Sequence, residues 1–292
     1  MLPNELQEAI QETLRENTFL HHTISGVSPV GGGCINDAHV VTTDQGRYFV
    51  KYNHARRYPG MFEAEARGLE VLKNAAELSV PGVIGTGEAG DQAFLVLEYI
   101  DSRPLETDFW ENFGRGLARL HKHTNQHFGL GHSNYIGSLP QRNAFSGSWT
   151  DFFINERIRP QLRLSRESGK TDKELEGKFE RLFVRLHEFF PAEPPALLHG
   201  DLWSGNFMAG SCGEAVIIDP AVYFGHRYMD LGMSKLFGGF APGFYNAYHS
   251  EYPLDGGWQQ GIEIANLYPL MVHVNLFGGG YLGSVNSILR RC

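Results

Sequence analysis

The sequence predicts an α+β protein with two lobes, in which a five-stranded antiparallel sheet carrying one helix precedes a mainly helical segment. Short runs of β-forming residues fill most of the first hundred residues, and helical periodicity dominates after about residue 105. Strands collected in one part of a chain and helices in the next are typical of the α+β class. The predicted lobes cover residues 1–100 and 105–292, joined by a linker at 101–104.

The first lobe begins with a helix, because Leu6, Ile10 and Leu14 recur every fourth residue and Asn4 can cap the N-terminus. A second helix is predicted over residues 61–78, ending before Pro81. The predicted strands cover residues 24–30, 38–42, 47–52, 83–87 and 93–99. Their order, three strands, one helix and two strands, predicts a single antiparallel sheet that carries that helix.

The second lobe is predicted to be mostly helical as far as its proline cluster. The predicted helices cover residues 106–126, 151–168 and 172–190. A short apolar segment at 196–198 leads into His199, and a small hairpin at 207–218 ends at Asp219. The remainder, 226–292, is glycine-rich and aromatic and is expected to form several short helices.

Composition excludes several classes of protein. The 292 residues are 42% apolar, enough for a sizeable core, and carry a net charge of −8, which argues against a nucleic-acid or anionic-membrane binder. No run of 18 apolar residues is present, and the first residues are acidic and amphipathic. Three cysteines are too few for a disulfide framework. We therefore expect a cytoplasmic globular protein.

The strongest chemical signal is the string from His199 to Asn206, followed thirteen residues later by Asp219. Asp201 can accept a proton from a hydroxyl group, and Asn206 and Asp219 can hold Mg²⁺ from two sides. This H-x-D-x-x-x-x-N spacing with a later Asp is the pattern of phosphoryl transfer in protein-kinase-like enzymes. Single Asp or Asn residues are common turn formers, but the complete string favours catalysis.

A second signal lies in the first lobe. Lys51 ends a predicted strand, and Glu65 follows fourteen residues later on the apolar face of the next helix. Because a charge on an apolar face is costly unless it is paired, Lys51 is the expected partner of Glu65, with Glu63 as the alternative. A strand lysine followed by a helix glutamate is what a kinase-like nucleotide lobe requires.

Glycines are abundant, 35 of 292, and only some of them favour a phosphate site. Gly31, Gly32 and Gly33, followed by Asn36, lie between the first two predicted strands, where their amides can approach phosphates, although a plain hairpin turn remains open. Two G-x-G-x-x-G matches, at 85–90 and 278–283, lack the strand and helix context of a dinucleotide fold. A dinucleotide oxidoreductase is therefore disfavoured.

Several strings together resemble the fructosamine kinase (ketosamine-3-kinase) family, which is related to the aminoglycoside phosphotransferases and has a protein-kinase-like fold. The resemblance covers nearly the whole chain and includes GGGCIN, FVKYN, MFEAEARGLEVL, LVLEYI, LLHGDLWSGN, IIDPAVYFGHRYMDLGMSKLFGGF and FGGGYLGSVNSILRR. One departure is Tyr228, where the family is expected to favour Glu, which puts a carboxylate role at that position in doubt.

The resemblance implies ATP- and Mg²⁺-dependent phosphorylation of the 3-hydroxyl of a ketosamine, free or on a glycated protein lysine. The unstable product then sheds its sugar, which promotes deglycation. In that reading Asp201 takes the hydroxyl proton, Asn206 and Asp219 hold Mg²⁺, and Lys51, fixed by Glu65, contacts phosphates. The ATP-covering loop is then Gly31–Gly33, and the adenine-binding segment is Glu98, Tyr99 and Ile100.

Some assignments stay open at this point. Trp203 either stacks on the substrate or is an ordinary core aromatic residue. Cys34 is either a redox-active thiol in the glycine loop, able to link a dimer, or an inert one in a monomer. The alternatives are a kinase of the same fold acting on an aminoglycoside or choline, and a nucleotide-binding pseudokinase.

Overall fold

The computed structural model describes residues 2–31 and 35–292. Contacts divide the chain into two units, which comprise Met1–Leu105 with Met208–Ile218, and Glu106–Phe207 with Asp219–Cys292. The segment Met208–Ile218 is thus grouped with the first unit although it follows residue 105 in the sequence. Within that unit Ile217 donates a main-chain hydrogen bond to the carbonyl of Ser79, at 2.9 Å.

The first unit is built on a five-stranded antiparallel sheet with the strand order β1-β2-β3-β5-β4. Its strands are β1 (Ile24–Val30), β2 (Asp37–Thr43), β3 (Gly46–His54), β4 (Val83–Ala89) and β5 (Gln92–Glu98). Two helices accompany the sheet, α1 (Asn4–Thr18) and α2 (Met61–Ala75). Each predicted strand is therefore present, extended or shifted at its ends by no more than about two residues.

The two helices pack against opposite faces of the sheet, because side chains alternate along each strand. In β5, Phe94 and Val96 join the buried cluster that includes α1, whereas Leu95 and Leu97 join the cluster that includes α2. The helix-side residues of the first cluster are Leu6, Ile10 and Leu14. Phe62 and Leu69 are the corresponding residues of α2. The apolar spacing in the sequence thus selects a face for each helix.

The second unit is mainly helical. Its helices are α3 (Phe109–Leu120), α4 (Trp149–Phe152), α5 (Arg159–Glu167), α6 (Lys173–Phe189), α7 (Tyr228–Leu236), α8 (Pro242–Glu251), α9 (Trp258–Ala265), α10 (Leu267–Phe277) and α11 (Leu282–Leu289). A π-helical turn, Phe153–Ile158, joins α4 to α5. The short strands are β6 (Asn134–Ile136), β7 (Leu139–Gln141), β8 (Ala196–Leu198), β9 (Phe207–Ala209), β10 (Ala215–Ile217) and β11 (Tyr223–Gly225), of which most of β9 and all of β10 are grouped with the first unit.

Helix boundaries differ from the sequence prediction in several places. The expected Asn4 cap is wrong, because α1 begins at Asn4 itself and the extended Pro3 occupies the capping position. The helix predicted over 106–126 ends at Leu120, because the chain then straightens and Leu197 of β8 donates to the carbonyl of His123. Among the described residues, none of the helices is both long and apolar enough to cross a bilayer.

Candidate active site

The loop that carries Asp201 leaves β8 through a sharp turn at Gly200. Gly200 has φ +86°, and a Cβ added there would lie 2.1 Å from the carbonyl oxygen of Ala221. Both the left-handed backbone and the close approach exclude a side chain at this position. Ala221 in turn donates its N–H to the carbonyl of His199 at 2.9 Å, which ties the two segments together. The turn is thereby held against the segment that follows Asp219.

Asp201, Asn206 and Asp219 lie together within the second unit. The Nδ2 atom of Asn206 donates to the main-chain carbonyl of Asp201 at 2.9 Å and to its carboxylate Oδ2 at 3.1 Å. The same nitrogen lies 3.5 Å from the carbonyl oxygen of Asp219. Asp219 itself has φ +55°, a conformation that non-glycine residues seldom adopt and that clusters at functional sites.

The carboxyl group of Asp201 has an unusual proton affinity. Burial first, and then the charges of Asp219 and Asp230, raise its pKa to about 7 against the lowering effect of the Asn206 hydrogen bond. A carboxyl group that exchanges its proton near neutral pH is suited to accept one from a substrate hydroxyl. The arrangement is thus chemically able to serve as a general base.

Asp230, on α7, is a residue of this site that the sequence analysis missed. Its carboxylate accepts the main-chain N–H groups of His199 and Gly200, at 2.8 and 2.9 Å. It also lies 3.2 Å from Nε2 of His121, whose Nδ1 is 2.7 Å from the Tyr248 hydroxyl. Burial would raise the pKa of Asp230, but the His121 hydrogen bond, the charges of His121 and His199 and the Gly200 hydrogen bond together lower it. Asp230 is therefore ionised near neutral pH, and its carboxylate holds the main-chain turn before Asp201 through these two hydrogen bonds.

The side-chain oxygens of Asn206 and Asp219 are suited to a magnesium ion that phosphate oxygens also bind. No group of three or more His, Cys, Asp or Glu side chains within residues 2–31 and 35–292 could hold a metal ion. Nδ2 of Asn206 is engaged by Asp201, which leaves its Oδ1 as an oxygen that can bind a metal ion. The Asp219 carboxylate is close enough for its charge to raise the pKa of Asp201. One or two oxygen ligands from protein, completed by phosphate oxygens and water, are characteristic of Mg²⁺.

Within the first unit, the structure brings Lys51 and Glu65 together. Nζ of Lys51, on β3, lies 2.7 Å from Oε1 of Glu65, on α2. The two side chains are only 7% and 12% exposed. Lys51 lies within β3 and not at its end as the sequence predicts, and its carboxylate partner keeps the ammonium group in place.

The glycine loop is described only in part. Gly31 is exposed, and a Cβ added there would meet no described heavy atom within 4 Å. Asn36 follows the loop, and its Oδ1 accepts a 2.8 Å hydrogen bond from Nδ2 of Asn53 on β3. Gly32, Gly33 and Cys34 lie outside the described residues. The phosphate role of the loop and the redox role of Cys34 therefore stay predictions.

The predicted adenine-binding segment follows directly on β5. Glu98 is the last residue of that strand, and its main-chain N–H donates to the carbonyl of Gly82 at 2.8 Å. The Tyr99 ring is covered by the Arg47 guanidinium, whose carbon lies 4.4 Å from the ring centroid. Arg47 also contacts both carboxylate oxygens of Asp101, at 2.6 and 2.8 Å. The adenine role of Glu98, Tyr99 and Ile100 stays a prediction.

Trp203 lies two residues beyond Asp201 and is partly buried. Its ring covers Gly205 so closely that an added Cβ would lie 2.4 Å from two of its carbons. The ring also meets Phe237 edge-on, with 6.2 Å between the centroids. Gly205 thus leaves room for the indole in the loop that carries Asp201, and from there the indole can contact a bound molecule.

Three other sequence features are structural. Tyr228 is buried, and its ring packs edge-on against His226 at 4.3 Å between centroids. The match at 85–90 lies on β4 and in the turn before β5. The match at 278–283 begins directly after α10 and ends in the first two residues of α11. Neither glycine match therefore joins a strand to a helix, as a dinucleotide site would need.

Comparison with known proteins places this geometry in a family. The sequence profile of the family described as Fructosamine kinase matches residues 6–292. A probable ketoamine kinase of Synechocystis sp. is 38% identical over 286 residues, which cover 98% of this chain and 96% of the relative. The chloroplastic protein-ribulosamine 3-kinase of Arabidopsis thaliana is 39% identical over 274 residues, 91% and 82% of the two chains.

Solved structures agree with these relatives. A crystal structure from Thermobifida fusca, assigned as a fructosamine-3-kinase, has a TM-score of 0.86 and 33% identity, and covers 97% of both chains. The aminoglycoside phosphotransferase APH(4)-Ia has a TM-score of 0.62 at 14% identity over 96% and 98% of the chains. At that identity the likeness shows the protein-kinase-like fold alone.

Proposed function

The chain belongs to the fructosamine kinase family, and from this membership we propose that it transfers the γ-phosphoryl group of ATP to the 3-hydroxyl of a ketosamine. The relatives are described as ketoamine and ribulosamine kinases, which favours fructosamine and ribulosamine adducts as the acceptors. The observation that carries the proposal is Asp201, a carboxyl group with a pKa of about 7, bonded to Asn206 and beside Asp219.

Asp201 is the proposed general base. Its carboxylate orients the sugar hydroxyl and receives its proton as the oxygen attacks the phosphorus. The hydrogen bond from Asn206 keeps one carboxylate oxygen occupied, so the other is directed at the hydroxyl. Asp230 keeps the main chain of His199 and Gly200 in place while the proton moves. A positioned base of this kind contributes roughly 10²–10⁴-fold to the rate.

ATP and Mg²⁺ are the proposed cofactors. Asn206 and Asp219 are the proposed ligands of Mg²⁺, which when bound would neutralise the charge that develops on the phosphate oxygens. Lys51, held by Glu65, is assigned to the α- and β-phosphates. The amides from Gly31 to Gly33, with Asn36, are assigned to the phosphates and the segment Glu98–Ile100 to the adenine. Solved neighbours of the fold bind AMP and AMP-PNP, which supports nucleotide use.

The acceptor is proposed to be a ketosamine, either as a small molecule or on a glycated lysine of a protein. Trp203 is proposed to stack on its sugar or amine portion. Phosphorylation at the 3-position gives a product that loses its sugar, so the overall result would be deglycation of the amine.

An ATP-consumption assay over a panel of acceptors tests the proposal. The panel comprises a fructosamine of lysine, the matching ribulosamine, a glycated protein, choline and an aminoglycoside. We expect turnover with one or both ketosamines, release of the free amine afterwards, and loss of at least about a hundredfold in kcat for Asp201→Asn.

Other results would contradict the proposal. Turnover of choline or the aminoglycoside alone would move the enzyme to a different acceptor class. Nucleotide binding without turnover of any acceptor would indicate a pseudokinase. A fully active Asp201→Asn variant would remove Asp201 from its assigned role.

A further inference from the structure

A buried arginine lies at one end of a hydrogen-bonded chain inside the second unit. Arg157 belongs to the π-helical turn Phe153–Ile158 and is fully buried. Its guanidinium carbon lies 3.9 Å from the centroid of the Tyr223 ring, and Nη2 donates to Oδ1 of Asn143 at 2.7 Å. Nη1 donates to the carbonyl of Arg142 at 2.5 Å. π-helical turns are rare and often lie at functional sites, and this one turns a charged side chain into the interior.

The chain leads from Arg157 to the main chain beyond Asp219. Nδ2 of Asn143 donates to Oδ1 of Asn134 at 3.0 Å, and Nδ2 of Asn134 donates to the carbonyl of Val222 at 2.9 Å. Asn134 is the first residue of β6, and its register partner on β7 is Gln141. The hairpin therefore presents two amide side chains to the same segment of main chain.

A second branch enters through Gln141. The hydroxyl of Tyr268, on α10, donates to Oε1 of Gln141 at 2.7 Å. Nε2 of Gln141 donates to the carbonyl of Ala221 at 3.1 Å and to Oδ1 of Asn134 at 2.8 Å. The carbonyls of two consecutive residues, Ala221 and Val222, are thus each bonded by a different amide of the hairpin.

The direction of every bond in this network is fixed by its ends. A guanidinium group can only donate and a main-chain carbonyl can only accept, so the amides of Asn143, Asn134 and Gln141 each have one permitted orientation. Turning any one of them would place two acceptors or two donors together in the interior. The members are Asn134, Gln141, Asn143, Arg157 and Tyr268, and each is no more than 6% exposed.

The segment held by this network begins two residues after Asp219, which has φ +55°. A left-handed conformation at such a residue persists only where the surroundings impose it. Pro220 restricts one dihedral angle of the intervening residue. Ala221 is held from the other side by its N–H bond to the carbonyl of His199. Ala221 is therefore held at both its N–H and its carbonyl, and the backbone of Asp219, two residues before it, has little freedom to relax.

We propose that this network positions Asp219. Arg157, Asn143, Asn134, Gln141 and Tyr268 are positioning residues that impose the left-handed backbone of Asp219 and so direct its carboxylate. None of these five residues is among those assigned above to the nucleotide or the acceptor. Only the identity of the ligand bound by Asp219, Mg²⁺ with a nucleotide, rests on the proposed function; the control of its backbone does not.

Gln141→Met tests the network, because methionine has nearly the same volume and forms none of the three hydrogen bonds. Hydrogen–deuterium exchange of the intact chain, without metal or nucleotide, reports on the main chain of 219–223. Calorimetry with Mg·ADP reports on the ligand site. We expect at least tenfold faster exchange at 219–223, at least tenfold weaker Mg·ADP binding, and a lower kcat with the ketosamine KM unchanged.

The matched control is Gln161→Met in α5. Gln161 is also a buried amide of the second unit, and its Oε1 accepts from Asn275 at 2.8 Å. Within the described part of the chain, Gln161 bonds to none of the five network residues. Gln161→Met should lose about as much stability as Gln141→Met. Its exchange at 219–223 and its Mg·ADP affinity should equal those of the unmodified protein. Tyr268→Phe, which removes one hydroxyl, should shift exchange and affinity in the same direction by about threefold, and it carries the test if Gln141→Met does not fold.

The proposal would be overturned if Tyr268→Phe had the same exchange rates at 219–223 and the same Mg·ADP affinity as Gln161→Met and the unmodified protein. It would also be overturned if Gln141→Met had the same exchange rates and affinity as Gln161→Met. If the unmodified chain phosphorylates no ketosamine while the two network variants still accelerate exchange at 219–223, the network stands and the proposed function fails. If ketosamine turnover is present and the variants leave exchange unchanged, the function stands and the network fails.

Discussion

Lys51 and Glu65 form an ion pair with 2.7 Å between Nζ and Oε1, and both side chains are almost wholly shielded from water. A pair of this kind costs desolvation energy when it forms, and its value lies in fixing the ammonium group. Removing one partner leaves a buried charge without its counterpart, whereas removing both leaves none. This difference allows the effect on stability to be separated from the effect on catalysis.

We expect Lys51→Met to lower the free energy of unfolding by about 3–5 kcal/mol and to reduce kcat/KM for ATP strongly. The double variant Lys51→Met with Glu65→Leu should recover most of the stability and none of the activity. Urea unfolding and the ATP-consumption assay measure the two effects. Arg15→Met removes a solvent-exposed i,i+3 partner of Glu12 and should cost less than about 1 kcal/mol with normal turnover. An active double variant would exclude Lys51 from phosphate binding.

Asp201 should make the protein less stable as the pH rises. Its pKa is about 7 in the folded chain, against 3.8 for the free group, so between pH 4 and 7 the unfolded chain loses this proton first. Each unit of difference corresponds to about 1.4 kcal/mol, which gives up to about 4 kcal/mol lost by pH 7 and constant above it. Asp201→Asn should therefore be more stable than the unmodified protein at pH 8 and no more stable at pH 4, in urea unfolding at both values.

The same pKa predicts the pH dependence of turnover. Since only the ionised form of Asp201 can take a proton, kcat/KM should fall tenfold per pH unit below about 7 and level off above it. The ketosamine is kept below its KM so that the profile reports the free enzyme. If kcat/KM instead stayed constant down to about pH 4 and fell only below it, a carboxyl group with an ordinary pKa would govern the reaction.

Asp230 should be needed for the catalytic loop. Asp230→Ala leaves the N–H groups of His199 and Gly200 unbonded in the interior, which should cost roughly 2–5 kcal/mol of stability and at least tenfold in kcat. His121→Phe removes a side-chain contact of Asp230 but keeps both main-chain bonds, so its loss of kcat should be much smaller. Equal kinetic losses in the two variants would show that the main-chain bonds are not what matters.

Gly205→Ala tests the substrate role of Trp203 without changing the indole itself. The new methyl group would lie 2.4 Å from the ring, so the ring must shift. We expect a KM for the ketosamine at least threefold higher, with the KM for ATP unchanged. Gly177→Ala, in α6, meets only the end of Arg181 at 3.9 Å and should leave both constants unchanged. An unchanged ketosamine KM in Gly205→Ala would favour Trp203 as an ordinary packing residue.

Local patterns in the sequence predict the sheet and its ion pair well. The β1 strand has the predicted bounds, and the strand predicted at 38–42 is Asp37–Thr43, because alternation along a strand is visible within a few residues. Lys51 and Glu65 could be paired because a charge on an apolar helix face demands a partner. Asp201, Asn206 and Asp219 were found through their spacing, which is set by one loop and one hairpin.

Features that depend on contacts between distant residues were not predictable in this way. Asp230 resembles an exposed helix carboxylate, and its bonds reach back about thirty residues to His199 and Gly200. The helix predicted over 151–168 contains the π-helical turn Phe153–Ile158, which turns Arg157 inward. A single wider turn shifts the apolar periodicity by only one residue, which a pattern read over a few turns does not resolve.

The grouping of Met208–Ile218 with the first unit limits how this chain can be divided. A fragment that stopped at Leu105 would lack the strand residue Ile217, which bonds to Ser79. The first unit therefore cannot be exchanged between relatives as one contiguous cassette. A chimera would have to graft two separate stretches, the second ending directly before Asp219, so recombination within this family is expected to preserve both junctions together.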